Sequence, residues 1–137
     1  MRQNDLANIW FRKSYNDVIT ANHLLYDVYP KQIENSCYHS QQAVEKALKA
    51  YLQYMNEEAP YTHDLALLCQ LCAEKNEVFN AYLDDCADLT QYATRTRYPD
   101  ETDITEHETG IALTKARTMY ACIYELLGCI DIKYRID

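Results

Sequence analysis

Glycine and proline, the residues that most often interrupt a helix, are scarce in this chain. Two glycines and three prolines occur among 137 residues, and these residue types have the lowest helix propensities. Good helix formers such as alanine, leucine, glutamate and lysine fill the rest of the sequence. The sequence therefore predicts an all-α fold, and its length favours a single domain, residues 1–137, with one hydrophobic core.

Hydrophobic residues that recur every three or four positions predict five helical segments. Proline should end two of them, because Pro30 and Pro60 cannot continue a preceding helix. Thr62 has the character of an N-cap for the third helix. The predicted segments are 4–28, 32–56, 63–75, 78–94 and 105–132. Since the connections are short, neighbours should be antiparallel, which predicts an up-and-down helical bundle of four to five helices.

The charge balance limits the partners of this chain. A formal net charge of −8 disfavours non-specific binding to polyanions, although a local basic patch could still bind one nucleotide. No signal-peptide pattern opens the chain and no apolar run is long enough for a membrane span. We therefore expect a cytoplasmic protein without a membrane partner.

Six cysteines raise the question of a metal site or a disulfide framework. Only Cys69 and Cys72 form a C-x-x-C pair, and this pair lies in a predicted helix with no second ligand pair at zinc-finger spacing. We expect six reduced thiols that pack as small hydrophobes, and no metal or cofactor, with a redox or metal site as the alternative.

One face of the second predicted helix is polar. His39, Gln42, Lys46, Lys49 and Gln53 advance by three and four positions, which places them along one face. This pattern is typical of a solvated face, on which Glu45 and Lys49 would form an ordinary i,i+4 ion pair. In a ligand site, Lys46 and Lys49 would instead contact phosphate.

A second polar group stands where the fourth predicted helix must stop. Arg95 and Arg97 come directly before Tyr98, Pro99 and Asp100. Arginine near a helix C-terminus interacts favourably with the helix dipole, and proline simply ends the helix. As a ligand group, Arg97 would bind phosphate, Tyr98 would stack on a base and Asp100 would accept a hydrogen bond, with Arg95 as an outer contact.

Four stretches of the sequence together resemble the HEPN domain family. They occur in the family's order and at similar separations: residues 15–25 (YNDVITANHLL), residues 41–50 (QQAVEKALKA), Thr62-His63-Asp64-Leu65 and Arg97-Tyr98-Pro99-Asp100. The resemblance implies an α-helical bundle that is frequently a homodimer, binds a nucleotide or RNA, and is often encoded with a separate minimal nucleotidyltransferase in a toxin–antitoxin-like two-component system.

Many members of that family are metal-independent ribonucleases, in which an arginine is followed after four to six residues by a histidine. Here the first histidine after Arg97 is His107, with nine residues between them, so the motif is absent. A ribonuclease toxin with a diverged active site is therefore the alternative function. We expect His63 to organise the turn between the second and third helices, with catalysis as its alternative role.

A purely protein-interaction bundle is the third possibility. The thirteen tyrosines of the chain fit this function, since tyrosine is enriched at interfaces.

Overall fold

The computed structural model describes residues 3–94, 99, 102–128 and 130–136. Three long α-helices and two short ones make up most of this part of the chain, and no strand occurs in it. The helices are α1 (Gln3–Tyr26), α2 (Ile33–Tyr54), α3 (Leu65–Ala73), α4 (Leu83–Leu89) and α5 (Glu106–Leu127). The predicted all-α bundle is confirmed.

The serine hydroxyls between α1 and α2 show that these helices run antiparallel. Ser14 Oγ on α1 donates to the carbonyl of Ala43 at 2.6 Å. Ser36 Oγ on α2 donates to the carbonyl of Ala21 at 2.8 Å. Residue numbers therefore rise along α1 as they fall along α2. Because each bond joins a small side chain to the opposite backbone, the two helices approach closely.

Helix α5 completes the group of long helices and also runs antiparallel to α1. The ring of Phe11 stacks on that of Tyr120 with centroids 4.5 Å apart, whereas Tyr26, at the other end of α1, lines a cavity with Gly110. Helix α2 packs against α1, α5 and α3, and fourteen of its 22 residues are buried. It is therefore the central helix, and the polar face predicted for it is partly buried: Gln42 and Lys49 are buried, and the rest of the face is half-buried.

The start of the third helix differs from the prediction. Thr62 is not the N-cap: its Oγ1 accepts from the backbone N–H of Asp64 at 3.1 Å. The Asp64 side chain caps the helix by accepting from Leu67 N at 3.2 Å, and α3 begins at Leu65. A carboxylate satisfies a free N–H and also interacts favourably with the positive end of the helix dipole.

The fourth predicted helix, over residues 78–94, is only partly α-helical. Helix α4 spans Leu83–Leu89 and is flanked by 3-10 turns at Glu77–Tyr82 and Thr90–Tyr92. Asn76 is the N-cap of the first 3-10 turn, and its side chain accepts a hydrogen bond from the N–H of Val78, two residues ahead. The turn that follows has the i→i+3 hydrogen bonds of a 3-10 helix. Residue 94 lies beyond the helical part.

The last helix is shorter than predicted. Thr105 forms a capping box with Glu108 at its start, but α5 ends at Leu127 rather than at residue 132. Gly128 has φ of +67°, a left-handed conformation that ends a helix and that glycine adopts at little cost. Residues 132–134 form a separate 3-10 turn.

Two further features concern the whole described part of the chain. None of its helices combines the length and the apolar character required to cross a membrane. None of the five cysteines in it forms a disulfide: Cys37, Cys69, Cys72 and Cys86 are buried, and Cys122 is half-buried. These five thiols pack as small hydrophobes, as expected, whereas Cys129 lies outside the described residues.

Candidate ligand site

Four of the predicted ligand residues, Arg95, Arg97, Tyr98 and Asp100, lie outside the described residues, so their roles stay predictions. Lys46 and Lys49 are described, and each lies in a cluster of charged side chains on α2.

The first cluster joins α2 to α1 through the carboxylate of Asp17. Lys46 Nζ lies 2.6 Å from Asp17 Oδ2, and His39 Nδ1 lies 2.8 Å from Asp17 Oδ1. The Asp17 carboxylate is almost fully buried, whereas His39 and Lys46 are each about one-fifth exposed. Lys46 is therefore already paired, and a bound phosphate would compete with a carboxylate for it.

The second cluster surrounds Glu45. Lys49 Nζ lies 3.1 Å from Glu45 Oε2, and His63 Nδ1 lies 2.7 Å from Glu45 Oε1. Gln41 Nε2 donates to Glu45 Oε1 at 3.3 Å and to the carbonyl of His63 at 3.2 Å. Both the side chain and the backbone of His63 are thus bound to α2, which confirms that this residue organises the turn before α3.

The predicted Glu45–Lys49 ion pair is confirmed, but its exposure was predicted wrongly. The side chains of Lys49 and Glu45 are only 7% and 5% exposed. Lys49 Nζ lies 5.4 Å from the centroid of the Trp10 ring, and the turn before α3 lies against Glu45. The spacing on α2 could not indicate this cover, because both covering segments come from elsewhere in the chain.

Each cluster has the same chemical composition: a lysine, a buried carboxylate and a histidine. We call the two clusters together the α2 charged band, defined by Asp17, His39, Glu45, Lys46, Lys49 and His63. When a carboxylate accepts from Nδ1–H of a histidine, the other ring nitrogen, Nε2, can bind a ligand or accept a proton. The formal charges of the two lysines and the two carboxylates in the band cancel.

Comparison with known families identifies the chain. The sequence model of the HEPN domain matches residues 7–126, a range that includes all five helices apart from the ends of α1 and α5. The chain belongs to the HEPN family. No curated protein matches it.

Asp17 of this HEPN domain is the site residue that sequence reasoning missed. Asp17 follows Ser14 by three positions on α1, at the edge of the buried stripe that contains Phe11, Val18 and Ala21. An acidic residue beside an apolar stripe indicates a buried ion pair, and this signal is present in the sequence. The partners of Asp17 could not be predicted from the sequence, because His39 and Lys46 lie 22 and 29 positions away.

A groove crosses the first half of α5 in the HEPN domain. It consists of two neighbouring cavities of about 550 and 270 Å³ that share His107, Ile111 and Lys115. His107, the histidine nearest in sequence after Arg97, is exposed in the first turn of α5. Hydrogen bonds from Lys115 to Asp88 and Asp85 raise the pKa of this lysine, although burial alone would lower it.

Metal binding has no visible basis in the described residues of the HEPN domain, in which no three His, Cys, Asp or Glu side chains are grouped to hold an ion. Burial also raises the pKa of the Cys72 thiol well above its usual range, so this thiol remains protonated. A protonated thiol is a poor metal ligand and a poor nucleophile.

Proposed function

We propose that this HEPN protein binds a nucleotide or the end of a nucleic acid. The α2 charged band is the observation that carries the proposal. It concentrates two lysines and two histidines around one helix of an otherwise acidic protein. In this proposal Arg97, Tyr98 and Asp100 bind the ligand, Arg95 is an outer contact, and Lys46 and Lys49 contact phosphate.

Ion pairing imposes a condition on this function. Because each lysine already faces a carboxylate, a phosphate would have to compete with Asp17 or Glu45 for the ammonium groups.

A thermal-shift experiment tests the proposal. The wild type is screened against AMP, ADP, ATP and a short RNA, together with Arg97→Ala and Lys46→Ala. Lys13, which is exposed on α1, provides the control variant Lys13→Ala. Ligand at a hundred times its dissociation constant should stabilise the wild type by about 2.7 kcal/mol. The shift should disappear in Arg97→Ala, decrease in Lys46→Ala and persist in Lys13→Ala.

Two results would contradict the proposal. One is the absence of any shift with every ligand. The other is an unchanged shift in Arg97→Ala, which would remove the central residue of the predicted ligand group.

We further propose that the protein works as a homodimer and as the partner of a separately encoded minimal nucleotidyltransferase, in a toxin–antitoxin-like two-component system. Membership of the HEPN family supports this proposal. Sedimentation of the purified protein tests the dimer. Size-exclusion chromatography after co-expression with a nucleotidyltransferase encoded beside the gene tests the complex, and separate elution of the two proteins would contradict it.

A metal-independent ribonuclease is the second candidate function. The hydrogen bonds of His39 to Asp17 and of His63 to Glu45 favour it, because a carboxylate that orients an imidazole prepares it for acid–base catalysis. Cleavage of RNA in the presence of EDTA that is lost in His39→Asn or His63→Asn would support this function. Intact RNA after prolonged incubation with the wild type would exclude it for the RNA tested.

A further inference from the structure

We propose that the groove across the first half of α5 is a docking site for a basic, amphipathic helical segment of a partner protein. This groove shares no residue with the α2 charged band, and the inference goes beyond nucleotide binding.

The floor of the groove is apolar and open. Tyr26 and Ile111 expose 59% and 45% of their surface beside it. Gly110 lies between them on α5, and a Cβ built at this position would meet no atom within 4 Å. A glycine inside an exposed helix costs about 1 kcal/mol relative to alanine, and here it leaves space that the rest of the described chain does not fill. An apolar side chain from a partner fits this space.

The described residues around Lys115 hold more carboxylates than ammonium groups. Lys115 Nζ lies 3.2 Å from both Asp85 Oδ1 and Asp88 Oδ2, so one ammonium group faces two carboxylates. Glu108, which accepts a hydrogen bond from the hydroxyl of Tyr92, adds a third carboxylate. The Asp88 side chain is largely exposed. This part of the groove would therefore attract lysine or arginine side chains of a partner.

A second ammonium group lies beside Tyr26. Lys31 Nζ is 5.9 Å from the centroid of the Tyr26 ring and 3.1 Å from Glu106 Oε1, so its charge is paired.

The length of the groove suits a helix. Its lining residues on α5 extend from His107 to Lys115, which corresponds to about 12 Å along the helix axis. A docked amphipathic helix typically inserts apolar anchors spaced by three or four residues into such a groove. Two or three anchors would lie over Gly110, Ile111 and Thr114, with basic residues beside Asp88 and Glu108.

The test uses the full chain and two short helical peptides. Both peptides carry leucine at positions i, i+4 and i+7; one has lysine at the flanking positions and the other has glutamate. Fluorescence anisotropy measures their affinities. We expect the basic peptide to bind at least about tenfold more tightly than the acidic one, and its affinity to fall as salt is raised.

A matched pair of variants locates the peptide. Ile111→Lys places bulk and positive charge in the groove, and it should weaken binding of the basic peptide by about tenfold or more. Leu67 on α3 is exposed to a similar extent, 40%, but does not line the groove. Leu67→Lys should therefore leave the affinity within about twofold of the wild type. Circular dichroism confirms that both variants are folded.

Three outcomes would overturn the inference. The first is failure of the basic peptide to bind, and the second is equal binding of both peptides. The third is a wild-type dimer that becomes a monomer in Ile111→Lys but not in Leu67→Lys, which would mean that a second copy of this chain occupies the groove.

Discussion

Two serines one helical turn apart on α2 allow a direct measurement of what an unpartnered hydroxyl costs this protein. Ser36 and Ser40 are both fully buried. Ser36 Oγ donates to the carbonyl of Ala21 at 2.8 Å, whereas Ser40 Oγ has no hydrogen-bond partner among the described residues. Replacing each with alanine removes the same atom from the same helix. The helix-propensity gain of about 0.5 kcal/mol is common to both changes and cancels in their comparison.

The two substitutions should therefore have opposite effects on the free energy of unfolding. Ser36→Ala loses a buried hydrogen bond worth about 1 kcal/mol, so that its net effect is a loss of about 0.5 kcal/mol. Ser40→Ala removes a hydroxyl whose burial without a partner costs about 1–2 kcal/mol, so the variant should gain about 1.5 kcal/mol or more. The predicted difference is about 2 kcal/mol, or about 6–10 °C in Tm for a chain of this size.

Urea unfolding followed by circular dichroism measures this difference. Ser14→Ala is an additional control, because Ser14 is also fully buried and its hydroxyl donates to Ala43; it should behave like Ser36→Ala. If Ser40→Ala destabilises the protein as much as Ser36→Ala does, the Ser40 hydroxyl has a partner and the reasoning is wrong.

Three further predictions concern the buried carboxylate, a thiol and the glycines. Asp17→Asn should lower the free energy of unfolding by about 2–3 kcal/mol in urea titrations, because it leaves a partly buried ammonium group without its counter-charge; an unchanged midpoint would show that the pair contributes nothing. Burial raises the pKa of the Cys72 thiol. The contribution of this protonated thiol to the free energy of unfolding is therefore complete below about pH 8.5, and above that pH it falls by about 1.4 kcal/mol per pH unit. The free energy of unfolding of Cys72→Ala, measured in urea, should depend less on pH in this alkaline range. Gly110→Ala should stabilise the protein by about 0.5–1 kcal/mol, since position 110 is helical and has open space around it. Gly128→Ala should destabilise the protein by about 1 kcal/mol, because φ is +67° at this position. Thermal melts in which both variants change Tm in the same direction would contradict this prediction.

The helices could be predicted from the sequence because their cause is local. Periodic apolar residues and the scarcity of glycine and proline require no knowledge of the rest of the chain. Helix ends were harder to predict, since Asp64 and Thr62 are both plausible caps and only the geometry of the turn decides between them. The last helix ends where Gly128 adopts a left-handed conformation. The sequence shows a glycine at this position but not the conformation that it adopts.

The charged site could be predicted only in part, for a different reason. The i,i+4 relation of Glu45 and Lys49 lies within one helix, and the sequence predicted that pair correctly. Pairing of Lys46 with Asp17 depends on how α1 docks on α2, over a separation of 29 residues. Periodicity identifies a polar face, but it does not indicate whether a neighbouring helix or water covers that face.

The serine hydroxyls between α1 and α2 have a consequence for the Asp17 cluster. The Ser14–Ala43 and Ser36–Ala21 hydrogen bonds lie on either side of Asp17 and His39. A slip of one helical turn, about 5.4 Å, would break both bonds and bury the carboxylate away from its cations. The longitudinal register is therefore fixed at two points, and the cluster cannot respond to a ligand by sliding of the helices. Any response must come from rotation of the histidine and lysine side chains within a rigid frame.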